Sequence, residues 1–463
     1  MSTGIASIEE KPRINHDQTA LIMMSGPDAL ENHAFADWFR QLHFEGWESF
    51  QKLPMPARTD EAWRFATIKA LDISPYARPQ PVSDAVQNQL IERSHARGLR
   101  ECAGRMIFAN DTLLAREIFS DALRSKGLIW EPIEKAAVAH EEIFRRHIMT
   151  QEIVLGSKKF AALHKAWVKS GTFLFVPPNV EIEAPIEIFH WLHGESGSTF
   201  PHTLLIVGEN SKVTLVDYFE STNENATGFA CGVNDLFLEQ GAKLTYVNVQ
   251  NWSRKMLALQ INSTVVGRDA HAVSMNLNLG ASYARTESVS RLVGQGGRSD
   301  MLAVSVAEGE QEFDQRTLQD HQQPDTASDL LYKNSLADKA RTIFAGLIRV
   351  EPHAHRTDAY QKVRNLLLSD DAEANSMPGL EIMADQVRCT HGATSGQIDE
   401  EELFYMLSRG LTRAQAQQLI VFGFLNEVIE RLNNKKAAEK LRESVSAKFQ
   451  KCSGAFQSRI ESE

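Results

Sequence analysis

The sequence predicts an α+β protein: a β-solenoid core between two helical regions. Three observations predict it. Helix-spaced apolar residues dominate up to about Gly171, where short β-prone runs broken by polar turns take over. Examples of such runs are HTLLIVGENSKVTLVDYF, GAKLTYVNVQ and DAHAVSMNLNL, and helical patterning returns only after Gly396. Within the β-prone region a polar turn, a small residue and a short alternating strand recur. The anchors fall at Ser211, Ala242, Ala270, Gly297, Ala327, Ala354 and Ala384, 27 to 31 residues apart. Hairpin meanders rarely hold one long period, whereas a stack of coils requires it, because each coil buries its faces only on its neighbours. Residues 171–397 therefore read as a parallel β-helix rather than a sandwich, with 1–170 and 398–463 as helical domains.

Residues 1 to about 100 read as mainly helical. In DALENHAFADWFRQLHFEGWESFQKL, residues Phe35, Trp38, Phe39, Leu42 and Phe44 share a helical spacing that means core packing. Pro54 and Pro56 stop that helix, and Thr59 or Asp60 is placed to cap the next, with Glu61 near its positive end. GRMIFAND, from Gly104, predicts a strand, and helices follow between about Pro132 and Lys169. Past the repeats, Asp399 is a predicted N-cap followed by three glutamates, and Gly410 a C-terminal cap glycine. Thr412 and Gln415 form a predicted capping box ahead of the apolar LIVFGFLNEVIERL. The charged tail from about Asn433 reads as a solvated helix or a frayed end.

Composition excludes several classes. A 463-residue chain with 43% hydrophobic and 24% charged residues has ample material for a large core. Its formal charge of −11 gives no basic surplus to displace counterions from nucleic acid. The only apolar knot near the N-terminus, Ala20 to Met24, is too short for an export signal or a membrane span, so no membrane partner is expected and the reducing cytoplasm is the expected compartment. The four cysteines, Cys102, Cys231, Cys389 and Cys452, form no C-x-x-C pair, which leaves no disulfide framework or structural zinc pattern. They are also too dispersed to hold an iron–sulfur cluster alone, which takes about four thiolates. GQGGRS lacks the lysine and helix of a phosphate loop, so the chain does not read as an ATPase.

The chemical candidates lie on the last repeat, EIMADQVRCTHGA. Cys389 and His391, two apart on a strand, project from one face, and Gly392 is expected to end that strand. The thiol reads as a buried inert residue, as a nucleophile beside its base, or as half of a metal ligand pair that needs ligands from elsewhere. Its place on the terminal coil puts it at an edge open to a partner. His353 and His355 form a second pair best read as exposed turn residues, and His321 sits in a polar loop with no obvious partner. Asp370, Asp371 and Glu373 would suit a glycan-cleaving β-helix but are bounded like a solvated loop.

From Lys339 to Leu411, KARTIFAGLIRVEPHAHRTDAYQKVRNLLLSDDAEANSMPGLEIMADQVRCTHGATSGQIDEEELFYMLSRGL closely resembles the signature region of the SufB/SufD family of iron–sulfur cluster assembly proteins. Weaker resemblance runs upstream through GTFLFVPPNVEIEAPIEI and FPHTLLIVGENSKVTLVD to LPMPARTDEAWRF. One cysteine in the first 200 residues, the DEAWRF segment, and His391-Gly392-Ala393-Thr394 where SufB reads H-E-A-T, side with the SufD branch. The resemblance implies a right-handed parallel β-helix and a non-catalytic subunit. It implies pairing with a SufB homologue at the terminal coil and docking of a SufC-type ABC ATPase on the C-terminal helices. Carried over residue by residue, Cys389 and His391 match the family's Cys-x-His at that interface, where iron enters and a nascent cluster forms. The ATPase contact falls on Phe404, Tyr405, Arg409 and Gly410. No permanent cofactor is implied, only transient iron or a cluster shared with the partner. The alternatives are a self-sufficient SufB-like homodimer (also possible when partners are absent), a carbohydrate-active β-helix enzyme, and a purely structural subunit.

Overall fold

The computed structural model describes residues 26–27, 35–119 and 126–460, with side chains through residue 450; the Ala20–Met24 stretch and the Cys452 side chain fall outside them. Strands β1 (Gly104–Ala109), β2 (Thr112–Ile118) and β3 (Ile129–Pro132) precede β4 (Thr172–Val176), β5 (Ile186–Leu192), β6 (Gly197–Thr199) and β7 (His202–Val207). The regular coils follow: β8 (Lys212–Ser221), β9 (Thr227–Leu238), β10 (Lys243–Asn251), β11 (Lys255–Val266), β12 (His271–Asn278), β13 (Tyr283–Leu292) and β14 (Arg298–Ala307). The last are β15 (Glu312–His321), β16 (Ala327–Leu336), β17 (Arg341–Val350), β18 (Asp358–Leu367), β19 (Glu373–Ile382) and β20 (Arg388–Gln397). Even-numbered strands from β8 stack into one sheet, ordered β2-β1-β5-β8-β10-β12-β14-β16-β18-β20. The odd-numbered ones form the other, β19-β17-β15-β13-β11-β9-β7-β4-β3. Apart from the antiparallel pairs β1/β2 and β3/β4, neighbours run parallel, so the expected parallel β-solenoid is present with two strands in each coil.

The turns explain the repeat. Lys212, Lys243, His271, Arg298, Ala327, Asp358 and Arg388 stand side by side across one sheet. Two residues ahead of each lies a left-handed residue: Asn210, Gly241, Asp269, Gly296, Asp325, Arg356 and Gln386, with φ from +52° to +75°. Glycine, asparagine and aspartate visit that region most cheaply, which is why the first five turns are visible in the sequence. Arg356 stands there with its guanidinium paired to Asp325 of the preceding coil at 2.5 Å. Most of these residues donate their N–H to the next coil, as from Asn210 to the Gln240 carbonyl and from Arg356 to the Gln386 carbonyl.

The small anchors hold at Ser211, Ala242, Ala270 and Gly297, each just before its strand. The register then departs from the predicted anchors: Thr326 and Thr357 take that place, Ala327 opens the strand itself, and Ala354 and Ala384 lie earlier, in longer turns.

Both faces of the middle coils are covered. Inside, Leu205, Val213, Leu215, Leu236 and Leu244 make an apolar core. Outside the odd-numbered sheet, the helices Asp37–Lys52 and Lys158–Trp167 pack with Trp63, Phe160, Phe200, Phe229 and Leu257. As predicted, the first helix stops just before Pro54, and Phe35 and Phe39 are buried; Phe44, however, is 41% exposed. The helix expected after Asp60 is only a 3₁₀ turn, Glu61–Trp63, and Asp60 instead accepts from the Ala57 N–H at 2.9 Å. Outside the even-numbered sheet lie the helices Arg413–Ile429 and Lys435–Ile460, whose Val421, Leu425, Val428, Leu441 and Val445 bury against Val247, Val304 and Leu331. The charged tail is thus a packed helix, not a solvated one, because Ala437, Ala438, Leu441 and Val445 form its inner stripe.

Candidate functional site at the open end of the solenoid

The helices cover the solenoid along its sides and leave its last coil bare. β20 pairs with β18 on one edge only, and nine of its ten residues are exposed, Cys389 being the half-buried exception. β19 is likewise the last strand of its sheet. The strand does not stop at Gly392 as expected: it runs through to Gln397, since glycine at an edge position interrupts no ladder. Arg388 donates its N–H to the Thr357 carbonyl, at 2.8 Å. By strand alternation the backbone groups of Cys389, His391, Ala393 and Ser395 point away from β18 and form a free edge. Beside them Leu380, Ile382 and Met383 of the neighbouring coil are 37–44% exposed.

Cys389 aligns with Ala359 and His391 with Gln361, so thiol and imidazole share one face as predicted; that face is the one that Ala359 and Gln361 turn to the solenoid interior. Cys389 packs beside Ile348, Val350, Ala354 and Ala359. Burial first, then the Asp358 carboxylate, push its thiol above the ordinary value. In the isolated chain it is therefore a neutral thiol, and a cation or metal must arrive before it becomes a thiolate ligand. No hydrogen bond joins Cys389 to His391 among the described residues, so the nucleophile–base arrangement is not formed. Nor, among the described residues, does any group of three histidine, cysteine or acidic side chains stand close enough to hold a metal.

Two neighbours were not singled out in the sequence. Gln361, 2% exposed, lies directly beneath His391 with both amide atoms buried and unpartnered, close to Gly346, where a Cβ would meet Gln361 Nε2 at 2.3 Å. Asp358 Oδ1 is likewise buried without a partner. Only the inward alternation Ala359–Gln361–Val363 could have pointed to Gln361.

The other candidates separate clearly. His353 and His355 lie exposed in a turn, as read from the sequence. His321 does not sit in a loop: it ends β15, fully buried, with Thr326 and Ser328 hydroxyls at 2.8 Å, and burial depresses it to about 4. Asp370 and Asp371 are exposed turn residues. Two residues beyond β20, Asp399 caps the helix Glu400–Ser408 by accepting from Glu401 and Glu402, as predicted. Gly410 adopts φ +90°, and the Thr412–Gln415 capping box is complete. Phe404 and Tyr405 are 73% and 57% exposed, and Arg409 stacks over the Tyr405 ring and bonds its hydroxyl at 3.0 Å.

The fold is thus a parallel β-solenoid whose last strand carries a thiol and an imidazole on one uncovered face, with no third ligand beside them among the described residues. The chain belongs to the SufB/SufD family: residues 190–424, just over half its length, match the family described as SUF system FeS cluster assembly, SufBD core domain. It is 27% identical to the iron–sulfur cluster assembly protein SufD of Bacillus subtilis, over 87% of this chain and 92% of that one. It is also 23% identical to iron–sulfur cluster assembly SufBD family proteins of Staphylococcus saprophyticus and Staphylococcus aureus, over 87% of this chain and 88% of theirs. It is thus an iron–sulfur cluster assembly protein with a SufD-like sequence. Among the described residues no helix is long and apolar enough to cross a membrane.

Proposed function

We propose that this chain is a non-catalytic subunit of a cytoplasmic SufB–SufC–SufD-type assembly complex. It pairs through the free edge of β20 with a SufB homologue and carries a SufC-type ATPase on its C-terminal helices. The observation that supports this best is the incomplete site: Cys389 and His391 share one face of an uncovered terminal strand, with no third ligand near them among the described residues. His391 is the readier ligand, since imidazole binds iron without losing a proton, while Cys389 joins once the metal favours its thiolate. Iron and the nascent cluster are cargo, held between the two chains. Phe404, Tyr405 and Arg409 offer an exposed aromatic–cation surface of the kind that anchors interfaces. Only Ile398 and Asp399 separate its helix from β20, so a pull by a dimerising ATPase reaches the metal-handling strand directly.

The test is co-expression of the tagged chain with SufB and SufC homologues of the same organism. Recovery of all three together is expected, with cluster formation lost in Cys389→Ala or His391→Ala complexes that still assemble. Elution as a homodimer that assembles a cluster alone would put the self-sufficient scaffold in its place, and full cluster yield from both variants would leave a purely structural subunit.

A further inference from the structure

On the side of the solenoid, away from the open end, a cleft lies between the helix Asp84–Arg97, the outer face of β8 and β10, and the helix Lys435–Ile460. It has two adjoining lobes of about 140 and 270 Å³ that share Arg97, Glu220, Asn251, Leu279 and Lys448. Nothing in the assembly role described above uses it.

Its charges do not balance locally. Arg93 and Arg97 both stand over the Trp191 indole, at 4.6 and 5.8 Å from the ring centre. One carboxylate serves that pair: Glu220, itself buried, accepts from Arg97 at 2.6 Å and from Asn251 at 3.2 Å. Arg93 bonds only the Thr222 carbonyl, at 3.3 Å, and makes no ion pair among the described residues. On the facing wall Arg254 and the buried Lys448 converge on a single carboxylate, Glu308. Among the described residues, four cations thus meet these two buried carboxylates and, exposed at the rim, Glu224. Lys440 and Glu443 neutralise each other in the larger lobe at 3.0 Å.

Two guanidinium groups held side by side in a partly dry cleft repel each other more strongly than they would in water, and an anion between them relieves that repulsion. The planar guanidinium fork matches a tetrahedral oxyanion through two parallel N–H···O bonds. Burial and then the Arg97 charge act against the charged form of Arg93, and the shared Glu220 offsets this only in part.

We infer that this cleft binds a phosphate-type oxyanion, gripped by Arg93 and Arg254, with the larger lobe able to take the organic part of a small phosphate ester. Calorimetric titration of the full chain at low ionic strength, with inorganic phosphate and separately with glycerol 3-phosphate, tests this. Saturable one-site binding of at least one of them at millimolar or lower concentration is expected, and the tighter of the two tells free anion from ester. Arg93→Gln breaks no ion pair and Arg254→Gln leaves Lys448 on Glu308, so both variants should keep the melting temperature of the ligand-free protein. Each should bind about tenfold or more weakly, as expected when a charge-assisted hydrogen bond is lost. Arg268→Gln, outside the cleft, should bind as the parent does. No saturable binding by the parent chain, or equal binding by the Arg93 and Arg254 variants, overturns the inference.

Discussion

β15 and β20 are strands of ten residues in the same solenoid, each in parallel register with its neighbour, yet all ten residues of β15 are buried and nine of ten in β20 are exposed. Their local backbone is the same; what differs is coverage. β15 has a coil on each side, side chains filling the interior, and the N-terminal region over its outer face, where Arg316 bonds the Arg64 carbonyl and Thr67 donates to Glu312. β20 has a coil on one side and, among the described residues, no covering layer. Polar side chains in the covered region are therefore locked into networks, while those at the bare end remain available to another molecule.

The sharpest way to test that difference is to cut the same residue type in both places. Arg285 is fully buried, bonds Glu287 at 2.8 Å, pairs with Asp314, and reaches the Ala62 and Leu155 carbonyls that tie the N-terminal region to the solenoid. Arg285→Met leaves two buried carboxylates short of their counter-charge, and a loss of about 3–5 kcal/mol is expected in urea unfolding. Arg388→Met, on the exposed strand, should shift stability by no more than about 0.5 kcal/mol. Similar losses at the two sites would break the comparison.

A smaller effect is expected from pH. His321 is held near 4 by burial, below its unfolded value of about 6.5, so below that value the unfolded chain binds a proton that the folded chain refuses. Its contribution to stability is intact above pH 6.5 and lost as the pH falls toward 4. His321→Gln should therefore flatten the stability–pH curve by about one proton across that window. An unchanged slope would mean that the ring titrates freely and that β15 is not closed.

At the bare end the expected changes are in association rather than folding. The Ala393 N–H points away from β18, so Ala393→Pro spares the existing ladder but blocks pairing with a further strand. Loss of SufB co-purification with little change in melting temperature is the expected result; retained pairing would move the interface elsewhere. Cys389→Ala and His391→Ala should each cost less than about 1 kcal/mol, because one side chain is half-buried and the other exposed, while abolishing iron loading of the complex. The smallest structural effect, within about 0.5 kcal/mol, is expected for Phe404→Ser and Arg409→Ala, read out as loss of SufC capture. Unweakened capture by both variants would remove that helix as the contact.

Much of this was legible in the chain. Turn residues that must adopt positive φ announced the coils as long as they were Asn210, Gly241, Asp269, Gly296 and Asp325, and became invisible at Gln386 and at Arg356, where the pair with Asp325 rather than propensity supports the conformation. The caps at Asp399 and Thr412 were readable because each is a local exchange of hydrogen bonds within three residues. The same-face placement of Cys389 and His391 follows from the two-residue period of any strand. The burial of His321, the packing of the last helix and the unpartnered Gln361 beneath His391 were not readable, for they depend on residues brought together from distant coils.

By itself, then, the sequence determined the repeating coil, the helix boundaries with strong caps, and a thiol and imidazole on one strand face, all consequences of backbone preference and short-range spacing. Only the tertiary structure decided which coils are covered. Burial is a property of what packs against a strand, and it is the covering layers stopping short of β20 that leave Cys389 and His391 on an open face.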